Sequence, residues 1–170
     1  MKILALDLST KSTGWAVYED TQLIDYGCIT ASSNDLIKRI QKIVSELIQV
    51  LNKHTVAKVV VEEVRPEEKI QNLQTHRALM WLQGAVAMVL HEIDKNIKME
   101  YLYPSEWRKL CGIKTGAGVR RETVKESDIK FVFKTFGISV NDDIADAIGI
   151  GYAYNQKQLN NTSDEFNFGV

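Results

Sequence analysis

Apolar residues open the chain as an unbroken run, Ile3-Leu4-Ala5-Leu6, that closes on an acid, Asp7. A run of this length reads as a buried strand. Beyond a polar turn and Gly14, residues 15–20 and 22–30 are apolar enough for two more strands. Short turns join all three, which predicts an antiparallel meander. The period then changes. Leu36, Ile37, Ile40, Ile43, Val44, Leu47, Ile48 and Leu51 recur at helical spacing, after the helix starters Ser33, Asn34 and Asp35. Residues 57–63, AKVVVEE, are apolar on both faces, which fits a central parallel strand reached through that helix.

A long helix is predicted from Ile70 to about Ile93. Leu79, Met80, Trp81, Leu82, Val86, Met88, Val89 and Leu90 cover more of its circumference than one buried stripe needs. Residues 97–103 form a fifth strand. Pro104 starts a short helix, residues 113–118 are a Gly-containing loop, and the next helix ends at Gly137. A last helix begins with DDIAD at Asp142. The order predicts an α/β fold: one mixed five-stranded sheet, three strands antiparallel and the others parallel, flanked by helices. Residues 1–156 are expected to form the domain, with 157–170 a polar, mobile tail.

The chain has 170 residues, the size of one ordinary domain. Cys28 and Cys111 match no metal spacing, and no apolar run reaches membrane-spanning length. A cytoplasmic protein with reduced thiols and no membrane partner is therefore expected. The net charge of −1 conceals an asymmetry. Arg108, Lys109, Lys114, Arg120, Arg121, Lys125, Lys130 and Lys134 crowd one segment against Glu106, Glu122, Glu126 and Asp128. Asp142, Asp143 and Asp146 follow. A basic flank beside an acidic cluster suits a surface that grips phosphates around a cation site.

Four acids stand in unusual places. Asp7 and Glu62 end apolar strands, and Asp143 and Asp146 share a helix face. Singly, each has a structural explanation: a turn, a solvated strand end, the positive end of a helix. If the first and fourth strands are neighbours, Asp7 and Glu62 emerge at adjacent ends, and the last helix could then bring Asp143 and Asp146 over the same spot. Two like charges at ~4 Å repel by roughly 4 kcal/mol at an effective dielectric near 20, so the set would take up protons or bind hard cations. Oxygen ligands select magnesium or manganese. His54, His76 and His91 show no pairing pattern.

The segments LALDLSTKSTGWAV, VVVEEV and DDIADAIGIGYAY resemble, in order and placement, the three active-site segments of the RuvC family of Holliday-junction resolvases, with LYPSEWRK also in its expected place. The resemblance implies an RNase H-like fold and a magnesium-dependent endonuclease for four-way junctions, with manganese able to substitute. Asp7, Glu62, Asp143 and Asp146 would take the places of the metal-binding and catalytic carboxylates. Two ions about 3.5–4 Å apart would share one carboxylate, Asp7 being the first choice. Glu63 competes with Glu62, and Asp142 with Asp143, for the ligand role. Lys109, Lys114, Arg120, Arg121 and Lys125 are the candidate DNA-binding residues. A homodimer is implied, and the helix around Ile70–Ile93 has the apolar surface for it. The family commonly carries an aromatic shortly after the strand-end glutamate, whereas Val64, Arg65 and Pro66 follow here. That departure opens the substrate range to forks or flaps, as would suit a phage that debranches DNA before packaging.

Three rivals stand beside this reading. The first turn also resembles a phosphate loop of the sugar-kinase, actin and heat-shock ATPase group. That group closes two such domains on its nucleotide, and Ser9 occupies the position of the expected glycine. A non-catalytic DNA-binding module of the same fold, and a nuclease for RNA in hybrids, are the others.

Overall fold

A computed structural model of the chain describes residues 1–63 and 73–167, and the side chains as far as Asn161. The aromatic-free stretch after Glu63, the helix start at Ile70 and the last three residues lie outside the described residues. Five strands, β1 (Lys2–Asp7), β2 (Ser12–Glu19), β3 (Gln22–Thr30), β4 (Lys58–Glu62) and β5 (Lys98–Leu102), form one sheet in the order β3-β2-β1-β4-β5. The first three are antiparallel to one another; β4 lies parallel to β1, and β5 parallel to β4. The helices are α1 (Leu36–Lys53), α2 (Leu73–Ile93), α3 (Pro104–Leu110), α4 (Arg121–Phe136) and α5 (Asp142–Asn167).

Strand alternation sorts the core into two layers. Leu4, Leu6, Val59 and Val61 face α1 and α2, where Ile43, Leu47, Leu82 and Val86 cover them. A fully buried Leu or Ile of this kind contributes about 1.5–3 kcal/mol. Ile3, Ala5, Tyr18 and Val60 face the other way, onto α3, α4 and α5. Asp35 caps α1 by accepting from the Ile37 and Lys38 amides, and Gly137 closes α4 with a φ of 71°.

Helix α5 lies close on the sheet because its inner face is small. A Cβ on Gly151 would strike the Tyr18 ring, and one on Gly149 would stand 2.6 Å from the Trp107 ring. The Tyr18 hydroxyl donates to the Ile148 carbonyl oxygen at 2.8 Å, which fixes the height of α5 over β2. Helix α5 runs past the expected domain boundary at Gln156 and continues to Asn167. Lys157 pairs with Glu106 of α3 at 2.7 Å, holding the first turn past the expected boundary against the domain. Residues 157–167, part of the expected polar tail, are helical.

Candidate active site

Asp7 and Glu62 are the last residues of neighbouring parallel strands. Leu6 pairs with Val61, so both acids leave the sheet at the same end. Alternation puts Asp7 on the face of Ile3 and Ala5, and Glu62 on the face of Val60. That face carries α5. Asp7 also lies opposite Gly14 on β2. A Cβ on Gly14 would fall well inside contact distance of the Asp143 carbonyl oxygen. The bare glycine thus seats the first turn of α5 directly over β2, beside Asp7. Asp7, Glu62, Asp142, Asp143 and Asp146 consequently line one cleft of about 560 Å³.

Each acid has distinct partners. Glu62 accepts from the Trp107 indole at 2.7 Å, and Trp107 is fully buried in α3. Glu63 does not line the cleft; its amide donates to Leu102 across to β5. Asp143 accepts from the Ser12 hydroxyl. Asp142 pairs with Lys125 of α4, and that bond holds its carboxyl below the usual range. Thr13 steadies the first turn, donating to the Ser9 carbonyl oxygen at 2.7 Å.

The acids strain against one another. Burial, then the charges of Glu62 and Asp143, push the Asp7 carboxyl up to about 7, with partial relief from Arg108 and Lys125. Burial raises Glu62 as well. Asp146 is raised by burial, then by Asp7 and Asp128. Among the described residues, no three acid, His or Cys side chains surround one point at ligand spacing. Arg108 spans the acids instead: its guanidinium lies 3.1 Å from Asp146, 3.1 Å from Asp128 and 3.8 Å from Glu62.

The donor set nevertheless suits a hard divalent cation. The acids of the cleft offer only oxygen. Asp146 Oδ1 is buried with no donor on it. Asp128 meets Asp146 carboxyl to carboxyl. A hard cation in the cleft would satisfy the orphaned Oδ1.

Of the candidate DNA-binding residues, Arg121 and Lys125 line the cleft. Lys109, Lys114 and Arg120 are exposed on α3 and the following loop, outside its lining. Sequence reasoning missed Trp107, Arg108 and Asp128 as members of the cluster. The only signal for Asp128 was an acid at helical spacing between Val124 and Val132.

The sequence profile of a family described as "Crossover junction endodeoxyribonuclease RuvC" matches residues 3–154. A protein of that description from Dictyoglomus thermophilum is 26% identical over 163 residues, covering 93% of this chain and 98% of its own. Another, from Ehrlichia ruminantium, is 31% identical over 99 residues; the match covers 54% of this chain and 60% of that protein's length. Among solved structures, "T. thermophilus RuvC in complex with Holliday junction substrate" superposes with a TM-score of 0.73 at 17% identity, covering 94% of this chain and 96% of that one. At that identity the likeness shows a shared fold, in keeping with the mixed sheet and helical layers expected from sequence.

Proposed function

The chain belongs to the RuvC family of crossover junction endodeoxyribonucleases, and from that premise we propose that it hydrolyses phosphodiesters in branched DNA, four-way junctions first among them. The observation that carries the reading is the meeting of acids from β1, β4 and α5 in one cleft. Asp7, Glu62, Asp143 and Asp146 would hold divalent cations, magnesium or manganese, two per site. When bound, such ions lower the pKa of a coordinated water and offset charge on the leaving oxygen.

The protein's own residues supply the rest. Trp107 aims Glu62 into the cleft through its indole N–H. Ser12 orients Asp143. Lys125 neutralises Asp142, which leaves Asp143 as the better ligand of that pair. Arg121 and Lys125, at the cleft, grip phosphates next to the cut, while Lys109, Lys114 and Arg120 extend the positive flank without reading bases.

A homodimer would set two such sites on opposite strands. Helix α2 supports it: Met80, Trp81 and Met88 are 50%, 49% and 62% exposed, so they are not core residues of the single chain. The test is incubation with labelled four-way, fork, flap and RNA–DNA hybrid substrates, with and without magnesium. Paired nicks in the four-way junction only with the metal are expected. Binding without cutting in every condition would make the protein a non-catalytic module, and hybrid cleavage alone would make it an RNA-directed enzyme.

A further inference from the structure

Asp128 takes no part in the reading above, yet it is 1% exposed and lies in the middle of α4. Buried acids are retained where they are paired. Its partner is Arg108: Nε approaches Oδ2 at 3.1 Å and Oδ1 at 3.4 Å. The guanidinium also stacks on the Trp107 ring, with its central carbon 4.1 Å from the ring centroid. The inner edge of Arg108 is thus fixed by Asp128 and Trp107. The outer fork, Nη1 and Nη2, faces Glu62 and Asp146. Arg108 lines the cleft and Asp128 does not.

We propose that Asp128 is a positioning residue that holds Arg108 at the cleft when divalent cations occupy Glu62 and Asp146. The inference rests on the assignment of those two acids as metal ligands. Three carboxylates share the guanidinium. A cation on Glu62 and Asp146 neutralises two of them and repels the guanidinium. Asp128, which does not line the cleft, still accepts from Nε, so the fork stays at the cleft with its donors free for a phosphate oxygen. A merely structural ion pair would not need its fork aimed at the acids; two well-packed apolar side chains would serve a core as well or better.

Without Asp128, the anions left to Arg108 are the ligands themselves. The guanidinium then competes with the cation. Partners one step removed from a metal typically change its affinity by about 10–100-fold. Asp128→Asn keeps the volume and one hydrogen bond.

The experiment measures Mn²⁺ affinity by calorimetry, together with single-turnover junction cleavage and junction affinity. It uses wild type, Asp128→Asn, Arg108→Met and the double variant, with melting temperatures recorded for each. Asp128→Asn should weaken Mn²⁺ binding at least about 10-fold and slow cleavage similarly, with junction affinity unchanged. Neither loss should recur when Arg108→Met is the background. Arg108→Lys, whose single ammonium cannot hold Asp128 and reach the cleft together, should keep Mn²⁺ affinity within about threefold while losing cleavage.

Unchanged Mn²⁺ affinity in Asp128→Asn overturns the proposal, as does an equal loss in both backgrounds, which would mean that Asp128 acts on the cations directly. If Asp128→Asn does not fold, wild-type cleavage by Arg108→Lys overturns it on its own. Wild-type protein that binds no Mn²⁺ would instead remove the metal assignment beneath it.

Discussion

Replacing Asp7 by Asn keeps the side chain's shape and removes its charge. The Asp7 carboxyl is pushed from 3.8 up to about 7. The folded state therefore holds a proton that the unfolded chain has released between about pH 4 and pH 7. Stability falls as pH rises through that window, and the full cost is present above it. At 1.36 kcal/mol per pH unit the ceiling is about 4 kcal/mol. Asp7 is half-buried at an open cleft, so water screens part of this, and about 2 kcal/mol is the expected gain from Asp7→Asn at pH 8. For a domain of this length that is roughly 4–8 °C in Tm. Scanning calorimetry in EDTA should show the variant melting above wild type at pH 8 and the gap closing at pH 4. Mn²⁺ should raise the wild-type Tm and leave the variant little changed. Cleavage should vanish while junction binding persists. A variant that melts at or below wild type at pH 8 would refute the claim that the acids of this cleft destabilise one another.

Gly14→Ala forces the Asp143 backbone away from β2; overpacking of this kind costs about 1–3 kcal/mol. Because it displaces two proposed ligands, cleavage should fall about 100-fold with junction affinity nearly intact, measured by single-turnover kinetics and anisotropy. Arg121→Ala should lower the slope of log affinity against log salt by about 1 in magnitude, read by anisotropy over a salt series. Trp81→Glu, on the exposed face of α2, should give a monomer by sedimentation with the melting temperature nearly unchanged; a persistent dimer would move the interface elsewhere.

The strands and the main helices were legible because their patterns are local. The apolar runs of β1 and β4 are interrupted only at their ends, and the parallel placement of β4 follows from the helix before it. The excess of apolar residues on α2 was also readable, and Met80, Trp81 and Met88 do stand outside the core. Glu62 could be separated from Glu63 only as one of two alternating positions; the indole of Trp107, 45 residues away, shows which one turns toward the cleft. The Arg108–Asp128 pair was not legible. It joins α3 to α4 across 20 residues, and an acid between Ser127 and Lys130 has the look of a solvated helix face. The full length of α5 was not legible because its last turns are polar and part of their support comes from a tertiary ion pair with α3.

The central claim is that acids from β1, β4 and α5 gather to hold divalent cations. Crystals of the protein soaked in Mn²⁺ and measured at an anomalous wavelength test it most directly. Anomalous peaks ligated by Asp7 and by at least two of Glu62, Asp143 and Asp146, with Arg108 withdrawn from those oxygens but still on Asp128, are the predicted result. An ordered cleft with Arg108 still bridging Glu62 and Asp146, and Mn²⁺ absent or bound elsewhere, would contradict it.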